Sequence, residues 1–134
     1  MKYFKYIFLV VGLTSFTGPS KEKQDYKKGY ASFYSDRFNG RKTASGAIFS
    51  NKKYTAASNY FPMGQMIRVT SIKTNKTIVV LVNDRMGHPT RLIDLTKEAA
   101  KQLQPLKDGV FIVKVSPAAI TDTLGLVLNK ENSL

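Results

Sequence analysis

The sequence contains no cysteine and no tryptophan, one histidine, and 9 acidic residues against 21 basic ones. Each scarcity excludes something. Without cysteine there is no disulfide, no zinc–thiolate centre, no cysteine nucleophile and no lipid-modified cysteine anchor within these 134 residues. No cofactor or metal is expected. Without tryptophan, any aromatic recognition must come from the 7 tyrosines and 8 phenylalanines. Apolar runs of membrane-spanning length are missing too. The run Ile7–Leu13 follows Lys2 and Lys5 and precedes the small residues Thr14, Ser15, Thr17, Gly18 and Ser20. That layout reads as a secretory leader over residues 1–20, its apolar run too short to span a bilayer comfortably; the alternatives are a buried first strand or an uncleaved anchor. No Ala-x-Ala marks the cleavage point.

What is present suffices for one domain with a real core. The hydrophobic fraction is 43%, that of a folding chain. Formal charge is +12; loss of Lys2 and Lys5 with the leader would leave 19 basic and 9 acidic residues, a charge of +10. Such a charge attracts polyanions. No nucleic-acid motif accompanies the lysines, and export points instead to lipid headgroups and the cell envelope, so no nucleic-acid partner is expected. Many of these lysines need be no more than a solvated surface.

After a polar linker at 21–28, Gly29–Ser35 reads as a strand. The stretch DRFNGRKTASG is turn-rich, and NYFPMG is a loop. MIRVTSI and TIVVLVND are joined by the polar turn KTNKT as a β-hairpin. The second of these is nearly continuously apolar from Ile78 to Val82, as a strand buried on both faces would be. LTKEAAKQLQPL reads as one short helix, with Thr96 as its cap, Ala99, Ala100 and Leu103 on its apolar face, and Pro105 ending it. DGVFIVKVS returns to strand alternation, and the tail from 117 to 134 has no clear pattern. Short strands with a single helix point to a small closed β-barrel, which hides its strand edges.

Chemistry concentrates in DRMGHPTRLIDLT, Asp84–Thr96, with two acids ten residues apart. Asp84 follows a greasy strand; Asp94 follows Leu92 and Ile93. An acid at an apolar strand end loses solvation, and a second acid nearby raises its pKa further, which suits a proton donor. Alternatively, Arg85 and Arg91 neutralise both acids, and Asp94 only supports the helix start. His88 is either a turn residue or an acid–base group. Tyr30, Tyr34, Phe38, Tyr54, Tyr60 and Phe61 could stack against sugars or fill a core, with Phe33 and Phe61 suited to the core and Tyr34 and Tyr60 left open.

The series ASFYSDRFNGRKTASG, YTAAS, FPMG, VNDR and IDLT with AAKQL resembles the rare lipoprotein A family, in order and spacing, over about residues 29 to 115. The resemblance implies a mainly β fold, a six-stranded double-psi β-barrel over 29–116 with one short α-helix, and a tail at 117–134. It also implies endolytic lytic transglycosylase activity on peptidoglycan in the bacterial envelope or periplasm, with glycan strands and other envelope polyanions as partners. The same barrel is found in expansins, which loosen walls without cutting them. On this resemblance Asp84 and Asp94 take the family's two acid positions, as catalytic residues. Tyr34, Ser58, Tyr60, Arg85, His88 and Arg91 are the expected substrate-binding residues. The pattern departs in three places: Ala47 replaces a family glutamate, Ser58 a family histidine, and DRMGH the family's Asp-Arg-Gly-Pro-Phe. Alanine transfers no proton, and serine is a poor stand-in for imidazole. The alternative is therefore a weak or inactive peptidoglycan-binding, wall-organising module, unless Asp84 carries the chemistry or His88 enters the groove.

Overall fold

A computed structural model describes Gly18 and residues 25–131. The expected leader lies outside the described residues apart from Gly18. Six strands close into a barrel: β1 (Lys27–Phe33), β2 (Thr55–Ala57), β3 (Met66–Ser71), β4 (Thr77–Asp84), β5 (Ile93–Leu95) and β6 (Phe111–Pro117). Their order around the barrel is β1-β5-β2-β4-β3-β6. The β1/β5 and β2/β4 pairs are parallel and the other four are antiparallel. Helix α1 (Lys97–Leu103) follows β5.

Alternation builds the core. Ala31, Ala56, Ile67, Val69, Val80, Val82, Ile93, Leu95, Val113 and Val115 are fully inaccessible and fill the barrel. Ala99, Ala100 and Leu103 of α1 join the same cluster. Thr96 caps α1, its hydroxyl accepting from the Ala99 amide. Gly29 is required in β1 because a Cβ there would lie 2.9 Å from Leu92 Cβ.

Four sequence expectations shift. The first strand begins at Lys27, not Gly29: Lys27 and Lys28 pair with Val115 and Lys114, so the linker gives up its last two residues to the sheet. The final strand runs to Pro117, where Ile67 is its partner. Strand β4 is central, but Val79 and Leu81 on its outer face are only half-buried. The tail holds a second helix, α2 (Ile120–Glu131). Its Thr, Gly and Asn residues weaken helical patterning, whereas tertiary contacts fix it: Asp122 accepts from the Ala119 amide and pairs with Arg68 on β3. Desolvation opposes ionisation of Asp122, but the bonds from Arg68 and Ala119 outweigh it and hold the carboxyl below its usual range.

Candidate active site

The two acids are brought together by strand register. Ala57 on β2 pairs with Asp94 on one side and with Asp84 on the other; Ser32 on β1 pairs with Asp94 in turn. Asp84 and Asp94 are therefore two strand spacings apart, roughly 10 Å between backbones. One irregularity makes this possible. Ala56 faces Val82, yet Ala57 faces Asp84, so Asn83 is an extra residue in β4. In an unbroken ladder Asn83 would oppose Ala57, and Asp84 would fall on the inward parity of Val80 and Val82. The bulge turns Asp84 onto the face that Asp94 occupies, a use to which barrel rims put such irregularities.

Both acids open onto one groove of about 600 Å³. Its other lining residues include Ser32, Tyr34, Phe38, Arg85 and Arg91. Asp84 is held by three donors: Tyr34 gives its hydroxyl to Oδ2 at 2.7 Å, and the amides of Ala44 and Arg85 point at Oδ1, each at 2.8 Å. The Ala44 amide arrives on a small hairpin. Lys42 bridges Ile48, Thr43 N donates to Ala47 O, and Gly46 closes the turn at φ +87°. Glycine suits that position because other residues are strained there.

Asp94 is in a different state. Arg91 grips both its oxygens, Nε to Oδ1 at 2.8 Å and Nη2 to Oδ2 at 3.0 Å. A bidentate pair of this kind is geometrically stiff. Arg85 makes no such pair with Asp84; its guanidinium donates to the backbone carbonyls of Ser58 and Phe61. The two arginines that the sequence left equivalent thus have separate tasks. Neither acid sits in an apolar pocket, contrary to expectation, since polar donors surround both.

Tyr34 ties the site to its surroundings. Its ring packs on Phe49 at 4.3 Å between centroids and meets Phe38 edge-on at 5.7 Å. Burial, then the Asp84 carboxylate beside it, pushes its hydroxyl far above the usual range, so it remains an O–H at any working pH.

Three expected residues are not in the groove. Ser58 is fully buried; its hydroxyl donates to Leu92 O and accepts from the Tyr60 amide. Tyr60 is half-exposed, carries the Lys27 ammonium 5.6 Å from its ring centre, and is not in the groove lining. His88 Nδ1 accepts from the amides of Thr90 and Arg91, closing its own turn, so it does not replace an imidazole in the groove. These three are withdrawn as groove residues, because each hydrogen-bonds or stacks elsewhere. Conversely, Arg37, Arg41 and Lys42 line the groove and were passed over in the sequence. The signal available was three cations within six residues around Phe38. Asn51 was missed as well. Buried, it donates to Tyr34 O and Asp36 Oδ1 and accepts from the Lys97 amide, so it joins the groove loop to α1.

The sequence profile of the lytic transglycolase family matches residues 26–115. The chain belongs to this family. It is 39% identical over 110 residues to the endolytic peptidoglycan transglycosylase RlpA of Pasteurella multocida (strain Pm70), covering 81% of the chain and 37% of that protein. It is 42% identical over 92 residues to a probable endolytic peptidoglycan transglycosylase RlpA of Treponema pallidum (strain Nichols), covering 68% of the chain and 29% of that protein. The chain spans well under half the length of these relatives. In fold it is similar to an expansin of Clavibacter michiganensis solved with cellohexaose, at TM-score 0.59 and 19% identity, covering 71% of the chain and 51% of the expansin. The double-psi barrel anticipated from the motifs is the fold of this lytic transglycolase domain.

Within the lytic transglycolase frame, Ala47 and Ser58 stand at positions where the resemblance places glutamate and histidine. Ala47 is exposed on the hairpin and offers only a methyl group, and Ser58 is sealed inside. Among the groove's lining residues, Asp84 is thus the carboxylate left without a guanidinium partner.

Proposed function

We propose that this domain cleaves peptidoglycan glycan strands as an endolytic lytic transglycosylase, exported to the periplasm or cell envelope. The observation that carries the reading is the setting of Asp84: half-buried in the groove lining, fixed by Tyr34 and two backbone amides, and free of any guanidinium. The Tyr34 hydroxyl can donate to the carboxylate or, rotated, accept from the carboxylic acid, so Asp84 keeps its partner in both protonation states. In the proposed reaction Asp84 gives its proton to the glycosidic oxygen as the C1–O bond breaks. The C6 hydroxyl of the same muramic residue attacks C1, and its proton returns to Asp84. No water is consumed, and a single carboxyl serves first as acid and then as base. Asp94, locked to Arg91, shapes the facing wall.

The test is digestion of purified sacculi with wild type and Asp84→Asn in parallel, with mass spectrometry of the products. Anhydromuramyl ends should come from wild type and fall at least about a hundredfold in the variant. Their absence with wild type, where a related enzyme makes them, would defeat the reading. A second reading, a wall-binding module without turnover, is favoured by Ala47 and by the burial of Ser58. It predicts sacculus pull-down by both proteins and cleavage by neither.

A further inference from the structure

The groove's rim is unbalanced in charge, and the imbalance has a built geometry. Arg37 and Arg41 both rest against the Phe38 ring, 5.0 and 5.5 Å from its centre. Lys42 lines the groove beside them. None of the three takes part in the ion pairs found among the described residues. The acid closest to them in sequence, Asp36, faces the other way. Its oxygens take Asn51 Nδ2 at 2.8 Å and Lys97 Nζ at 2.6 Å, and these bonds hold its carboxyl below the usual range. Phe38 in turn meets Tyr34, the partner of Asp84. Two guanidiniums held on Phe38, and in no ion pair among the described residues, thus line the same groove as Asp84.

We infer that Arg37 and Arg41 form a carboxylate-binding subsite, which selects glycan strands bearing free carboxylates over neutral ones. This rests on the glycan-strand reading above and deepens it. Guanidiniums suit the task because their planar fork matches a carboxylate, and stacking on an aromatic ring lowers the entropy lost on binding. The carboxylate can be the lactyl group on the sugar or an end of the stem peptide.

The experiment measures binding of the full chain to isolated glycan strands in the cold, over times too short for turnover. Three strand preparations are used: stem-bearing, stripped of stems so that lactyl carboxylates are free, and the same strands with carboxylates capped by coupling to a neutral amine. Capping should weaken wild-type binding roughly tenfold. The double variant Arg37→Gln with Arg41→Gln should bind uncapped strands roughly tenfold more weakly and be indifferent to capping. Its melting temperature should match wild type, because both side chains are exposed. Arg37→Lys with Arg41→Lys should retain part of the preference for uncapped strands. A larger loss on stripped strands assigns the lactyl group; a larger loss on stem-bearing strands assigns the peptide; either supports the subsite. Equal wild-type binding to capped and uncapped strands refutes the subsite but leaves the glycan reading standing. So does an equal loss on both in the double variant. Wild type that binds no strand overturns both.

Discussion

Replacing Tyr34 with Phe removes one oxygen and tests how the site is held. The phenyl ring can keep its packing on Phe49 and Phe38, so the change isolates the bond from the hydroxyl to Asp84 Oδ2. The informative variable is pH. Burial and the Asp84 charge raise the folded-state pKa of Tyr34 above its unfolded value near 10. A group raised in this way contributes stability that is complete below the unfolded value and is lost as pH climbs toward the folded one. Between the two, the unfolded chain releases a proton that the folded chain keeps. Stability then falls by at most about 1.4 kcal/mol per pH unit from this group. Tyr34 is only partly shielded from water, so solvent screening narrows the pH interval over which this slope acts and limits the total change by pH 11 to roughly 0.7 kcal/mol. Urea denaturation followed by circular dichroism, for wild type and Tyr34→Phe from pH 8 to 11, gives the difference in unfolding free energy between them. That difference should stay constant up to about pH 9.5 and shift against wild type by roughly 0.7 kcal/mol near pH 11. The other tyrosines are common to both proteins and cancel. A difference unchanged across the whole range would refute the placement of Tyr34 as a partly buried partner of Asp84.

Three further outcomes follow from the geometry. Leu95→Ala empties a fully inaccessible position in the barrel core and should cost roughly 3 kcal/mol in chemical denaturation. Arg91→Met leaves the half-buried Asp94 unpaired and should destabilise by roughly 2 kcal/mol, with most of it recovered when Asp94→Asn is added, as a double-mutant cycle would read. Gly46→Val forces a β-branched residue to φ +87° and should cost roughly 2 kcal/mol. By displacing the Ala44 amide from Asp84, it should also reduce turnover of sacculi by more than the fraction unfolded accounts for.

Much of this molecule is written in local pattern. Alternating apolar residues specify the strands from Met66 to Ser71 and from Phe111 onward, and a threonine followed by Ala99, Ala100 and Leu103 specifies the helix start and its buried face. The order of the motifs around Asp84 and Asp94 was enough to indicate the family and its barrel. Such signals are legible because a side chain's inward or outward parity depends on its own strand alone. The fate of each polar group depends on what another segment brings to it. One extra residue at Asn83, visible only against the partner strand, decides that Asp84 shares a face with Asp94. Which arginine grips an acid and which is spent on carbonyls is settled by the path of the loop between them. The inward turn of Ser58 likewise arises from a contact across the fold, its hydroxyl meeting Leu92 O, and no spacing along the chain encodes it.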